Sequence, residues 1–311
     1  MVRVNCHSFS TIISSYAARL HFSHFSSAGG SIQIHMFGAY FGLAVAYMLG
    51  PPRAYCSTQP TTNLSTIHTT QNNAVIPQEE LLSMLGTLFL FIYWPSFNAR
   101  ALDANSHAQQ RAIMGTIFAL CSSTIGTFFA SSFCNTKSRK FRTIEVQNAV
   151  LSGGVAIGSV CNMVLSLGDC LLLGFIGGVV STVGFSRLQP ILTKWGIYDA
   201  CGVHNLHALP ALIGGLASVV LCYTKSYQHP ETQLFAHINQ ATRQFWSICV
   251  TIVLAVVAGL LTGLVLRPMR PISATDPYAD SAYWESEADE EQENDKRDIN
   301  YASDLGAVGN T

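Results

Sequence analysis

Asp199-Ala-Cys-Gly-Val-His204-Asn-Leu-His207-Ala-Leu-Pro-Ala-Leu-Ile-Gly-Gly215 sets two histidines into an apolar run that continues to about Cys222. A titratable side chain inside such a run is costly in a bilayer and marks a functional site by default. A second run, Gly29-Gly-Ser-Ile-Gln-Ile-His35-Met-Phe-Gly-Ala-Tyr-Phe-Gly-Leu43, carries another. The offsets agree, since Asp199 precedes His207 by eight residues and Ser27 precedes His35 by eight. Helices begun near Ser27 and Asp199 would carry each imidazole about 12 Å inward at 1.5 Å per residue. That depth is close to the middle of a hydrocarbon core about 30 Å thick. The two runs are the first and sixth of the chain's apolar segments, so they cross in opposite directions. An inverted repeat is expected, with its site between the halves near the midplane and a narrow path past both histidines.

Composition supports a membrane setting. The 311 residues are 49% hydrophobic and only 11% charged, against roughly 25% charged in soluble domains, and the mean hydropathy is +0.30. The net charge of -1 hides an acidic end that runs from Asp276 to Asp304. No basic patch is interleaved with aromatics, so nucleic acid is not an expected partner. The nine cysteines are scattered with no Cys-x-x-Cys pair. Cys121, Cys161, Cys170 and Cys249 sit in apolar runs and read as small packing residues, with no disulfide framework. No nucleophile–base pairing or metal set is visible, so an enzyme is not expected.

Seven segments reach spanning length: 27–49, 80–97, 112–133, 146–165, 170–188, 201–222 and 245–266. The expected fold is all-α, a polytopic membrane helical bundle of about seven spans. Arg187 sits at the exit of its segment. Small-residue spacings recur at Gly154/Gly158, Gly174/Gly178 and Gly259/Gly263. One such match is weak, but three on separate segments predict close backbone approach in a tight bundle. Lys137, Arg139, Lys140 and Arg142 follow the third segment, Arg187 and Lys194 the fifth, and Arg267 and Arg270 the seventh. These connections share one side if all seven cross, and the excess of basic residues makes it cytoplasmic. Residues 1–26 hold Arg3 and Arg19 but no acid and no spanning run; they read as a divergent N-terminal segment, of a composition that a targeting peptide would share. The membrane domain is 27–267, and 268–311 is a disordered acidic cytoplasmic tail. Asn63-Leu-Ser65 is a glycosylation sequon, which this topology leaves on the cytoplasmic side, unmodified.

A neutral imidazole offers one donor and one acceptor, and desolvation disfavours its charged form. Two in contact would line a path with hydrogen-bonding nitrogen and suit a small polar molecule that gains or loses a proton. The bland alternative for each histidine is a hydrogen bond to a neighbouring helix; for His204 this stays open beside a role in orienting its neighbour. A zinc site at His35, His204 and His207 lacks an acid or cysteine to complete it. Asp199 and Ser27 can each cap a helix N-terminus with a side-chain oxygen. In Tyr93-Trp-Pro-Ser-Phe97-Asn98 the aromatics suit an interfacial anchor, while Pro95 offers a way to turn Phe97 inward as a gate.

The run from His35 to Leu43, Tyr93-Trp-Pro-Ser-Phe-Asn98, Gln147-Asn-Ala-Val-Leu-Ser-Gly-Gly-Val-Ala-Ile-Gly158 and Asp199-Ala-Cys-Gly-Val-His-Asn-Leu-His207 together resemble the Rh glycoproteins of the ammonium transporter family. The resemblance runs from about Ala28 to Leu266 and returns at Tyr283-Trp-Glu285. It implies the ammonium-transporter fold with inverted repeats, in a plasma-membrane homotrimer or a heterotrimer with related subunits. Each subunit would hold its own hydrophobic pore for ammonia or ammonium, and for carbon dioxide in some members. The family's twin pore histidines fall on His35 and His207, its gating Phe on Phe97, and its repeat carboxylates on Asp199 and, in the first repeat, Ser27. Asn98 and His204 support them. No cofactor is implied. Ser27 stands where an Asp is expected, so impaired ammonium recruitment or pore geometry is expected. Ala208 and Ala211 replace usual glycines, so packing near His207 should differ. The family has about twelve spans and this chain starts near the fifth, so a partial pore is expected. The competing expectation is a non-conducting structural subunit. A seven-helix receptor fits the span count alone, since its Asp-Arg-Tyr and Asn-Pro-x-x-Tyr motifs are absent.

Overall fold

The computed structural model describes residues 27–50, 77–134, 141, 143–163, 165–199, 201–225 and 239–269. They belong to one of the chain's two compact units. The N-terminal segment, the Asn63 sequon, the loop residues Lys137, Arg139, Lys140 and Arg142, and the acidic tail beyond Met269 lie outside the described residues.

Every described element is a helix. Long runs of Leu, Ile, Val, Ala and Phe favour this outcome, because in hydrocarbon a helix alone satisfies its own backbone polar groups. In chain order they are α1 (Ser31–Leu49), α2 (Pro77–Ala99), α3 (His107–Cys134), α4 (Thr143–Ala149), α5 (Ser152–Ile157), α6 (Leu167–Lys194), α7 (His204–Thr224) and α8 (Gln240–Leu266). Six of them, all but α4 and α5, are long and apolar enough to cross a membrane. Two expected boundaries change. The fifth segment does not stop at Leu188 but continues to Lys194 through a π-helical turn, Gly184–Leu188, so Arg187 lies inside a helix rather than at its exit. The fourth is two short helices rather than one.

The break between α4 and α5 has a local cause. Gly153, Gly154 and the serines around them are weak helix formers, and neighbouring hydroxyls take up the backbone groups that the break releases. Ser123 on α3 donates to the Ala149 carbonyl at 2.8 Å and accepts from the Gly153 N–H at 3.1 Å. Ser152 donates to the same carbonyl at 2.6 Å. The broken segment still runs along α3: Ser131 of α3 bonds to Glu145, Ser123 to Ala149, and Gly115 packs on Ile157. It therefore runs antiparallel to α3 over roughly 24 Å at 1.5 Å per residue.

The next helix returns parallel to α3. Gly115 faces Cys170, Gly174 faces Ala119, and Gly178 faces Ser123. A β-carbon at Gly174 or Gly178 would overlap the Ala119 or Ser123 carbonyl, which is why the small-residue pair is needed there. Gly259 and Gly263 of α8 make the same approach to Phe41 and Met48 of α1. In the third pair Gly154 lies under Trp94, while Gly158 meets Ser31 and Asn98 and also makes a backbone approach, its carbonyl accepting from the Gly29 N–H at 2.8 Å. Ile32 packs on Gly215 and Tyr40 on His204, so α1 and α7 are antiparallel with His35 and His207 between those contacts. Leu82, Leu85, Phe89 and Ile92 of α2 and Val253, Val257, Leu261 and Leu264 of α8 are exposed. Surface of this apolarity needs hydrocarbon or another helix to cover it.

Candidate functional site

The two histidine helices begin alike. Gly30 and Gly202, each three residues beyond Ser27 and Asp199, take left-handed φ values of 75° and 69°, a region glycine enters without steric cost. Each is followed by a π-helical stretch, Ser31–Met36 with His35 and His204–Ala208 with His207. The Gly30 carbonyl accepts from the N–H of Ile34 at 2.8 Å and of His35 at 3.3 Å; the Gly202 carbonyl accepts from Leu206 at 3.0 Å. Regular helix thus starts about four residues later than the depth arithmetic assumed, because the glycine turn intervenes, and the histidines sit in the first turns of their helices.

The caps differ. Asp199 accepts from the N–H groups of Val203 at 2.8 Å and His204 at 2.9 Å. Burial pushes its carboxyl up from the ordinary range, and those two amides work against that shift. Ser27 accepts one longer bond, from the Ile32 N–H at 3.4 Å, and lies 3.3 Å from the Ser159 hydroxyl. The five-residue reach from Ser27 to Ile32 matches that from Asp199 to His204. A further clasp holds the Asp199 turn: Gln189 of α6 donates to the Asp199 carbonyl at 3.0 Å and accepts from the Asn205 amide at 3.4 Å.

The rings meet at the centre. His35 and His207 stack with centroids 5.1 Å apart and planes 1° from parallel. Trp94 stacks on His35 at 5.6 Å and 15°. Phe97 leans on the same imidazole at 5.7 Å and 55° and on Trp94 at 6.0 Å. Phe97 is half-buried and turned toward His35, so it is not solely an interfacial anchor. His204 is outside the stack; its Nδ1 is 3.4 Å from the Asn205 carboxamide oxygen and its ring meets Tyr40 edge-on at 6.3 Å. Fully buried Asn98 donates at 3.0 Å to both the Thr116 hydroxyl and the Gly154 carbonyl, tying the end of α2 to α3 and α5. Ala208 and Ala211 are fully buried within the packing near His207.

Four residues at or near the site escaped the sequence reading. Trp94 lay in a quoted motif, but the rule for aromatics at helix ends assigned it to the interface. Tyr40, Gln189 and Asn205 showed only as polar groups in apolar runs, a signal that becomes specific once their partners are known. Away from the rings, Glu145 is fully buried, accepting from Ser131 at 2.6 Å and Ser186 at 2.7 Å.

Known proteins give the comparison. A family model described as Ammonium Transporter Family matches residues 13–276. The Rh type C ammonium transporter of Xenopus tropicalis is 37% identical over 292 residues, covering 88% of this chain and 59% of that protein. The Rh type A ammonium transporter of Bos taurus is 38% identical over 274 residues, covering 86% of this chain and 58% of that protein. The chain thus spans a little under three-fifths of the length of these relatives. Among solved structures, Rh50 of Nitrosomonas europaea, from work on conduction by the Rhesus family of channels, superimposes with a TM-score of 0.69 at 29% identity. It covers 97% of this chain and 71% of that one.

Proposed function

We propose that this chain, which belongs to the ammonium transporter family, conducts ammonia across a membrane past its paired imidazoles. The observation that carries the reading is the parallel contact of His35 and His207 at 5.1 Å, brought together from two antiparallel helices. Phe97 and Trp94 narrow the approach to His35 and exclude water. Ammonium gives a proton to water before this point, since among the described residues no carboxylate lies against the stacked rings to receive a bare cation. The neutral molecule exchanges hydrogen bonds with the imidazole nitrogens, each ring offering one donor and one acceptor, and is reprotonated on the far side. Asp199 and Ser27 fix the helix starts that present the two rings; Asn98 fixes Phe97 by anchoring the adjacent turn. Carbon dioxide, also small and neutral, fits the same lining. The working assembly is a homotrimer, or a heterotrimer with related subunits, in the plasma membrane, with residues 27–267 in the bilayer and the acidic tail in the cytoplasm.

The test is ammonia-driven alkalinisation in proteoliposomes with an entrapped pH dye, read above protein-free vesicles. Losing hydrogen bonds worth about 1 kcal/mol at each ring should slow the His35→Ala, His207→Ala double variant roughly tenfold or more. An unchanged rate in a folded double variant overturns the proposal. One observation favours a second reading, a non-conducting structural subunit: the single long bond at Ser27 where the other half has an acid with two. Folded wild-type protein that leaves the alkalinisation at the protein-free rate would establish it.

A further inference from the structure

Arg100 follows directly on α2, and its position has no part in the conduction path described so far. Its guanidinium carbon lies 4.2 Å from the centroid of the Phe97 ring, and its Nη1 donates to the Phe97 carbonyl at 3.2 Å. That ring is in turn 5.7 Å from His35 and 6.0 Å from Trp94. Exposure falls along the series: Arg100 is exposed, Phe97 half-buried and His35 buried. The residue therefore sits on the outer, exposed side of the aromatic cluster. Partial desolvation of the guanidinium pulls its pKa down from the ordinary value, but a guanidinium stays protonated in proteins. Among the described residues no carboxylate pairs with it.

An aromatic face attracts a cation through its quadrupole. Here a cation belonging to the chain itself occupies the face of Phe97, with a main-chain bond to hold it. A second cation arriving at that ring meets a fixed positive charge well within the screening length of about 8 Å. At an effective dielectric constant near 20 the repulsion lowers its local population roughly tenfold or more. Ammonia and carbon dioxide carry no charge and pass the same point without that penalty.

We infer that Arg100 is the specificity-determining residue of the Phe97 approach: its guanidinium, stacked on that ring, turns cations away and leaves the route to neutral molecules. The inference deepens the conduction reading above and rests on it for the location of the approach.

The experiment reconstitutes the full chain into phosphatidylcholine liposomes. It records methylammonium-evoked current on a solid-supported membrane beside ammonia-driven alkalinisation. Arg100→Gln should raise the current roughly tenfold or more over wild type, while Arg100→Lys, which keeps the charge, stays at the wild-type current. The inference is overturned if Arg100→Gln carries no more current than wild type, or if Arg100→Lys rises with it, since a purely steric role would move both variants. If wild type produces no alkalinisation, the conduction reading fails on that arm alone; a current appearing only in Arg100→Gln still supports the charge barrier, and its absence still refutes it. Folding is checked by size exclusion, and Arg100→Leu is read by the same criteria should Arg100→Gln not fold.

Discussion

Replacing Asp199 tests whether the start of the second histidine helix is held as described. The side chain of Asp199, itself buried, accepts two short backbone bonds, from the N–H groups of Val203 and His204. Removing an N-cap acceptor costs about 0.5–2 kcal/mol, and charge-assisted bonds are roughly twice as strong as neutral ones. With two bonds lost, Asp199→Ala should destabilise the fold by about 2–4 kcal/mol. Asp199→Asn keeps one acceptor oxygen and should cost about half as much. The two variants also separate capping from charge. Because burial raises the folded-state pKa of Asp199, the folded chain holds this proton more tightly than the unfolded chain. Its contribution to stability is fullest below the unfolded carboxylate pKa and declines as pH rises through the folded value. Asp199→Asn should remove that decline. The assay is reversible unfolding in mixed micelles, followed by tryptophan fluorescence from pH 4 to 8. An Asp199→Ala variant within about 0.5 kcal/mol of wild type, or an Asp199→Asn variant with the wild-type pH slope, would refute the argument.

The remaining expectations concern the frame around the rings. Gly174→Ala pushes a β-carbon into the Ala119 carbonyl, and overpacking of this kind costs about 1–3 kcal/mol; a thermal melt in detergent should show the loss, whereas Gly86→Ala, inside α2 with open space around it, should melt no lower than wild type. Asn98→Leu preserves bulk but strips the donor from the Gly154 carbonyl and the Thr116 hydroxyl. It should cost about 1–3 kcal/mol and, if the conduction proposed above holds, also lower the ammonia-driven rate in proteoliposomes because the turn bearing Phe97 loosens.

Much of this arrangement is legible in the residues. The matched eight-residue offsets lead to the two rings that stack, and the spacings at Gly174/Gly178 and Gly259/Gly263 lead to two close helix seams. What was hidden depends on partners distant in sequence. Residues 146–165 have the apolarity of a continuous span, yet the helix breaks because Ser123, on another element, satisfies the groups that the break frees. Hydropathy measures composition and is blind to that exchange. The hydroxyls that accommodate buried Glu145, Ser131 and Ser186, likewise come from other elements, α3 and α6. Trp94 was misassigned because a rule about average positions in a bilayer cannot see the imidazole beneath it.

The comparison of the two halves separates what the repeat requires from what it tolerates. Both keep a left-handed glycine three residues after the capping position and a π-helical stretch around the histidine. A π turn holds an extra residue relative to an α-helix and is found often at functional sites; here it shifts the register of each histidine relative to the helix that follows. Backbone conformation, rather than the acid, is therefore the shared device that brings the rings together. The cap itself has diverged, to two short bonds at Asp199 and one long bond at Ser27. If the glycines carry the geometry, Gly202→Ala should do more damage than Asp199→Asn. An L side chain in that φ region costs about 1–3 kcal/mol, and its β-carbon would also overlap the Phe185 ring. A Gly202→Ala variant more stable than Asp199→Asn in the same micelle titration would return the decisive role to the carboxylate.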